Sequence, residues 1–344
     1  MNSGYGAISN EHFLYFLIDV AEAITTGGQT AVRWVTRDIN KFMNDFMKTE
    51  GVEYDLYQDT DSSYINLESL VDRYLKTKPD ATREDIINML DGFCAKVLQP
   101  VINKSCMALK DYLNAYEQKL EMKREVIAES AIWSGKKRYT MAVWDSEGVR
   151  YKEADTKVQG LESVRSSVPK WSRDYLEKIY ETCLLKKESD LHQLYKEIEL
   201  AFNAMPVETI AVPTGVNGIL KYSDANGYAI KGAQMHIRAA INHNRLVKEL
   251  GLNHIAPIDD KEKIRYIILR PNPRKIDVIA FRMTLPDEFG LAQYVDRQAI
   301  FKKSFLEPAQ TFVEIIKWNL EYKPTLDEIE DDDGANDGAV MSFF

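Results

Sequence analysis

The segment from Tyr57 to Ser62 constrains this chain more than any other, because it places two aspartates around a threonine between two stretches with the side-chain pattern of β-strands. The stretches carry apolar or aromatic residues at Val52, Tyr54, Leu56, Tyr64, Ile65 and Leu67. We therefore predict a hairpin from Val52 to Leu67 with the acids at its tip. Alternate residues of a strand share a face, so the carboxylates of Asp59 and Asp61 lie on one side, roughly 6–7 Å apart along the backbone. Such oxygen ligands suit a hard divalent cation, although aspartate is also a common turn residue.

Apolar residues at helical spacing predict helices on both sides of this hairpin. Asn10 is the predicted N-cap of the first helix, and Gly27-Gly28 is expected to interrupt it. After the hairpin, Thr82 is the predicted start of a helix that ends at Pro100, and a second helical run follows from Val101 to Tyr116.

The rest of the chain is predicted to add strands and then helices. The pattern from Met122 to Asp145 indicates two strands around Ser134-Gly135, which complete an antiparallel sheet. Helix is predicted from Pro169 to about Asn203 and again from Ala233 to Leu250. The predicted fold class is therefore α+β, with an antiparallel sheet and packed helices followed by a mainly helical domain. A length of 344 residues agrees with about two domains.

Cysteine usage and the early apolar run argue against a secreted protein and a membrane protein. The three cysteines, Cys94, Cys106 and Cys183, have neither metal-binding spacing nor even pairing, which is typical of a reducing compartment. The early apolar run from Phe13 to Ile18 is followed by Asp19 and lacks a basic leader, so we predict no signal peptide and no contact with a membrane.

The net charge of −9 is concentrated near the end of the chain. Residues 327–337 carry seven acidic residues and no basic one, so the remaining chain is close to −2. Between Ser134 and Arg173, nine Lys or Arg residues face five acidic ones, a local charge of +4. Nucleic acids respond to such local potential, although an ordinary solvated surface also has this composition.

Several motifs in this order resemble the family B DNA polymerases, above all those of T-even-type bacteriophages. They are Asn2-Ser3-Gly4-Tyr5-Gly6-Ala7, Ala21-Glu22-Ala23-Ile24-Thr25-Thr26, the Asp59-Thr60-Asp61-Ser62 hairpin, Lys136-Lys137-Arg138-Tyr139, and Gly160-Leu161-Glu162 with Ser166, Ser167, Pro169 and Lys170. The resemblance implies the end of the fingers at 1–10, the polymerase palm at 11–159, the thumb at 160–326, a disordered acidic linker at 327–337 and a clamp-binding peptide at 338–344.

The same resemblance implies an absent N-terminal part with the exonuclease, the fingers and the first metal-binding strand. We therefore expect one subunit of a split replicative polymerase that acts in the host cytoplasm, although an expression truncation would have the same sequence. Its expected partners are this N-terminal part, primer-template DNA, dNTP and a sliding clamp. The alternative is a non-catalytic remnant that binds DNA and the clamp.

The resemblance also assigns roles around two Mg²⁺ ions. Asp61 is the expected bridging ligand, and Asp59 contributes more to local structure and charge. Glu125 matches a palm acid near the site, although a solvated strand glutamate is an equally open interpretation. Two ions held by such carboxylates support phosphoryl transfer. Gln58 departs from the family pattern, which has glycine at this position, and this puts rate and fidelity in doubt.

Nucleotide and DNA contacts are implied for further residues. Tyr5 and Gly6 are expected under the nascent base pair and Asn2 near the triphosphate, although Asn2-Ser3 also suits a helix cap. The DNA contacts are expected at Thr60, Lys136, Lys137, Arg138, Tyr139, Lys170, His236 and Arg238. The basic residues at 136–138 also suit a solubilising turn, and the helix around His236 also suits one that turns Ile237 and Ile241 inward.

The last residues of the chain carry a separate signal. An apolar and aromatic peptide follows the acidic run, and T-even-type polymerases end in a similar peptide that binds the sliding clamp. By this resemblance Met341, Phe343 and Phe344 are the expected clamp contacts. An inert, disordered tail is the other interpretation.

Overall fold

A computed structural model describes residues 2–321, with side chains from residue 4 onward. These residues divide into two compact units, residues 2–129 with 143–155 and residues 130–142 with 156–321. The predicted α+β class is confirmed, because helices alternate with small antiparallel sheets. The predicted acidic linker and clamp peptide lie outside the described residues. Within 2–321, each helix is too short or too polar to cross a membrane.

The first unit packs helices around a short hairpin. Its helices are α1 (Asn2–Ile8), α2 (Ile18–Met47), α3 (Glu68–Thr77), α4 (Arg83–Phe93) and α5 (Gln99–Tyr112), and its hairpin strands are β1 (Asp55–Gln58) and β2 (Ser63–Ile65). One face of α2 is buried at Val35, Ile39 and Met43 and forms a core with Tyr54 of the hairpin segment and Cys106 of α5. This apolar face holds the hairpin against a long helix.

Helix α2 differs from its prediction in two places, at its first residue and at Gly27-Gly28. It begins at Ile18 rather than after Asn10, whose side chain accepts the N–H of His12 at 3.0 Å in a local turn. It also continues through Gly27-Gly28, where an interruption was predicted. Glycine in a helix costs only about 1 kcal/mol relative to alanine, and the buried face from Ala31 to Met43 supplies enough packing to outweigh that cost.

The predicted helix boundary at Pro100 is also wrong. The start at Thr82 is confirmed, because its side chain accepts the N–H of Asp85 in a capping box. Helices α4 and α5 are joined by the π-helical turn Cys94–Leu98, so the helix passes Pro100. Proline lacks an N–H and crowds the carbonyl four residues earlier. The wider π-turn changes that register and accommodates the ring.

Three further strands follow in chain order. They are β3 (Val126–Gly135), β4 (Arg138–Ser146) and β5 (Val149–Gln159), and they form a sheet of order β3-β4-β5. The first two were predicted, whereas β5 is polar and largely exposed and has little apolar alternation to reveal it. Loops of two residues join the strands, and Lys137 and Glu147 in these loops adopt positive φ of 59° and 52°.

The second unit has helices where they were predicted and a sheet that was not. Its helices are α6 (Lys170–Leu185), α7 (Glu188–Ala204), α8 (Val207–Ile210), α9 (Met235–Glu249), α10 (Arg297–Phe301) and α11 (Glu307–Val313). Its strands β6 (Val212–Gly215), β7 (Lys263–Ile268) and β8 (Val278–Phe281) form an antiparallel sheet of that order. Helix α9 buries Ile237 and Ile241 in a core with Ile264 and Val278 of the sheet.

Candidate polymerase site

The acidic hairpin forms as predicted. Strands β1 and β2 pair antiparallel, with Gln58 opposite Ser63. The backbone N–H of Asp59 donates to the carbonyl of Ser62 at 2.9 Å and closes the turn. Residues 59–62 therefore form the tip, with both aspartates on it.

The two acids have different surroundings. Asp59 is half-buried, and its Oδ1 accepts the Thr60 N–H at 2.7 Å and the Thr60 hydroxyl at 3.3 Å. Asp61 is exposed. Thr60 thus orients one carboxylate while the other faces solvent, which is compatible with a structural role for Asp59 and direct ligation by Asp61.

Gln58 does not stand free beside the acids. Its amide donates to Oδ2 of Asp55 at 2.6 Å, and Oδ1 of Asp55 accepts a hydrogen bond of 2.5 Å from Asn40 of α2. The Gln58 side chain is therefore held along its own strand by a chain of hydrogen bonds that leads back to the helix.

Glu125 lies beside a network of ion pairs in the first unit. Its own side chain is exposed, and its carbonyl accepts the N–H of Glu147 at 2.6 Å. The neighbouring Arg124 pairs with Asp145 and with Asp91, the latter at 2.5 Å. Burial alone would raise the pKa of Asp145, but hydrogen bonds from Arg124 and from a backbone N–H outweigh it and hold this pKa below its usual range. The network fixes the backbone on which Glu125 is carried.

Within residues 2–321, no three His, Cys, Asp or Glu side chains are grouped closely enough to hold a metal ion. Asp59 and Asp61 share the hairpin tip, but Glu125 does not join them in such a group. Two carboxylates suit Mg²⁺ chemically. They form at most part of a site, and the remaining ligands would come from elsewhere.

The basic motif lies on the turn between β3 and β4. Lys136 and Lys137 form this turn and are exposed. Arg138 is half-buried and pairs with Glu162 at 2.7 Å. Its guanidinium is thus partly neutralised. Both lysines lie at the surface, where phosphate contacts form.

Gly160 holds the end of β5 against this turn. It has a φ of +65°, and a Cβ at this position would lie 2.2 Å from the carbonyl oxygen of Lys137. A side chain is therefore excluded by both backbone conformation and space. Two motifs that are separate in sequence, the basic motif and Gly160-Leu161-Glu162, meet through this contact and the pair between Arg138 and Glu162.

Other predicted DNA contacts have different degrees of exposure. Tyr139 is buried, 7% exposed, and its ring lies 6.3 Å from that of Trp133. Lys170 is exposed at the first residue of α6. Burial, with Lys303 nearby, lowers the pKa of His236 and so favours its neutral form. Arg238 pairs with Asp277 at 2.5 Å.

Helix α9 uses several polar side chains for its own packing. Asn242 donates to the carbonyl of Val278 at 2.9 Å, and the buried His243 contacts the carbonyls of Ala280 and Ala256. These contacts attach the helix to β8 and the preceding loop. They match the interpretation in which this helix turns its apolar face inward.

The remaining predicted residues are at the ends of the chain. Tyr5 and Gly6 are exposed on α1, and the α1 backbone begins at Asn2. The side chain of Asn2 and the whole of Met341, Phe343 and Phe344 lie outside the described residues. The assigned roles of all the predicted site residues stay predictions.

Sequence reasoning named Gly28 and Gly160 but missed how each one packs against a motif. Gly28 lies against Thr60 at the hairpin tip, and Gly160 lies against the basic turn. The signal for Gly28 was weak: a helical pattern tolerates a glycine, and the apolar spacing resumes beyond the pair at Val32 and Val35. It was interpreted as an interruption instead.

Comparison with known proteins finds two DNA polymerases that are similar to almost the whole of this chain. The chain is 31% identical over 342 residues to a DNA-directed DNA polymerase of Enterobacteria phage T4 and 32% identical over 345 residues to one of Escherichia phage RB69. The matches cover 95% and 96% of this chain but only 37% and 38% of the relatives, in their C-terminal part. The chain thus spans little more than a third of the length of these relatives. No family model matches it. The predicted resemblance to T-even-type family B polymerases is confirmed.

Proposed function

The chain is related in sequence to the family B DNA polymerases of T-even-type phages, and from this premise we propose that it supplies the palm and thumb of an enzyme for DNA-templated DNA synthesis. The observation that carries the proposal is the Asp59-Thr60-Asp61 tip, seated on α2 within a region of similarity that covers almost the whole chain. In this proposal the palm extends over 11–159 and the thumb over 160–326, and the enzyme acts in the host cell.

The acids have distinct tasks in this proposal. Asp61, exposed at the tip, would bind Mg²⁺ directly, while Asp59, held by Thr60, would shape the turn and add negative charge. When bound, two Mg²⁺ ions supply activation of the primer 3′-hydroxyl and stabilisation of the leaving pyrophosphate. Glu125 is the third candidate ligand from this chain.

The exposed lysines fit contacts to primer-template DNA. Lys136 and Lys137 lie on a turn that Gly160 and the pair between Arg138 and Glu162 support from behind. A tight turn carries these charges without burying them, and each phosphate contact adds salt-dependent affinity. Binding would therefore weaken as ionic strength rises.

An exposed apolar segment supports a partner that carries the exonuclease, the fingers and the first metal strand. Between 13 and 24, large apolar side chains that are 38–85% exposed occur at Phe13, Leu14, Tyr15, Phe16, Leu17, Ile18, Val20 and Ile24. Soluble proteins rarely expose such a contiguous patch unless another surface covers it. The β1–β2 hairpin is also only two-stranded, which leaves strand edges for a further strand. Both features suit the portion that the relatives have beyond the matched region.

The decisive experiment substitutes the exposed acid. Asp61→Asn, in enzyme complemented with the N-terminal part, should lower single-turnover nucleotide incorporation by several orders of magnitude while primer-template affinity changes little. Asp59→Asn serves as the matched comparison and should have a smaller effect. The exonuclease rate of the same preparations should survive both substitutions. Near-normal incorporation by the Asp61 variant would show that Asp61 is not needed for the reaction. It would favour the alternative in which this chain binds DNA and contributes no catalytic residue.

A further inference from the structure

Helix α2 holds the strand that leads to the acidic tip through two asparagines one turn apart. Asn44 accepts the N–H of Val52 at 3.0 Å and donates to its carbonyl at 2.7 Å. Asn40 accepts the N–H of Tyr54 at 2.8 Å and donates to Asp55 at 2.5 Å. Each amide therefore pairs with the extended segment and fixes its position along the helix.

The same helix meets the tip itself at Gly28. A Cβ on Gly28 would lie 3.2 Å from the carbonyl oxygen of Thr60 and 3.8 Å from its Cγ2. The first distance is closer than ordinary van der Waals contact, and the neighbour is backbone, which cannot rotate away. Gly27, the adjacent glycine, has no atom within 4 Å of its corresponding Cβ position.

The asparagine and glycine contacts lie at two levels along α2. From Asn40 to Gly28 the helix rises roughly 18 Å at 1.5 Å per residue. Between these two levels the chain runs along β1, which has a register shift between Asp55 and Tyr57, and then enters the turn at residues 59–62. The asparagines thus fix where the strand starts along α2, and Gly28 is the point at which its tip rests.

We propose that Gly28 is a positioning residue for the acidic tip, and that its missing side chain sets the depth at which Thr60, and with it Asp59 and Asp61, lies on α2. The inference rests on the proposed polymerase function for its catalytic consequence, but not for its structural one. Thr60 holds the Asp59 carboxylate through its N–H and hydroxyl. A shift of the Thr60 backbone therefore moves that carboxylate and the adjacent Asp61.

The test compares Gly28→Ala with Gly27→Ala. Both replace a glycine inside the same helix, and each gains up to about 1 kcal/mol of helix stability. Only Gly28→Ala also presses on Thr60. Hydrogen exchange of the amides of residues 55–65, measured on the chain alone, should be faster in Gly28→Ala and unchanged in Gly27→Ala. Exchange of residues 31–43 in the buried part of α2 should be the same in both.

The catalytic readout is made on the complemented polymerase. Single-turnover incorporation by Gly28→Ala should fall severalfold at unchanged primer-template and dNTP affinity, because the Thr60 backbone must shift by a few tenths of an ångström and a displacement of 1 Å at a reacting group can cost about 10²-fold. Gly27→Ala should match the wild type.

Each outcome decides a separate point. Equal exchange at 55–65 in the two variants overturns the inference whether or not the wild type polymerises DNA. Loss of protection across residues 31–43 in Gly28→Ala also overturns it, because the role would then be general stability. A wild type without incorporation argues against the proposed function, while the exchange data still decide the role of Gly28.

Discussion

Replacing Gly160 with alanine tests whether the end of β5 supports the basic turn. The residue has a φ of +65°, and its added Cβ would lie 2.2 Å from the carbonyl oxygen of Lys137. The turn must therefore move, or the end of β5 must move away from it. Lys136 and Lys137 would then lose their present position.

The expected loss of folding stability in Gly160→Ala has two contributions. A left-handed backbone costs alanine about 1–2 kcal/mol, and forcing an extra methyl group into a filled space costs typically about 1–3 kcal/mol. Gly160→Ala should therefore lower the free energy of unfolding by roughly 2–5 kcal/mol. Gly251→Ala is the control that separates these two costs, because Gly251 has a φ of +63° but no atom within 4 Å of the position that a Cβ would take. This variant should therefore show only the backbone cost.

The assay is urea denaturation of both variants, followed by primer-template binding in the complemented enzyme. Gly160→Ala should be the less stable variant and should bind DNA more weakly, while Gly251→Ala should bind as the wild type does. Equal loss of stability in the two variants would refute the proposed contact with Lys137. If Gly160→Ala is destabilised but binds DNA as the wild type does, the turn of Lys136 and Lys137 does not contact DNA.

Three other outcomes are expected. Burial lowers the pKa of His243, so the neutral side chain stabilises the fold fully above the unfolded pKa of about 6.5, and this stabilisation is lost as pH falls. The melting temperature should therefore drop between pH 7.5 and 5.5, and it should drop by less in His243→Gln. An equal drop in both proteins would show that His243 is not the cause. Leu14→Asp, at a side chain 85% exposed in the apolar segment, should weaken association with the N-terminal part in a pull-down, whereas Leu200→Asp, at one 74% exposed, should not; equal binding by both would exclude that surface. Deleting residues 338–344 should abolish clamp-dependent processivity and leave distributive synthesis nearly unchanged, and equal loss of both activities would indicate a structural tail.

Local patterns in the amino-acid sequence determined the acidic hairpin, the capping box at Thr82 and the helices α6, α7 and α9. These elements depend on residues close together in the chain, such as alternating apolar side chains or a cap three residues from its partner. The motifs around Asp59, Lys136 and Gly160 were also recognisable in sequence, because each is short and contiguous. Their order along the chain was enough to indicate a polymerase.

Only the tertiary structure decided how those motifs are held. Gly27-Gly28 resembles a helix break in sequence, but packing on one face of α2 continues the helix and leaves Gly28 against Thr60. Pro100 resembles a helix end, but a π-turn carries the helix past it. In both cases local propensity amounts to only a few kcal/mol, which contacts between residues distant in sequence outweigh. The same reason explains why Gly160 and the basic turn, more than 20 residues apart, could not be joined from the sequence alone.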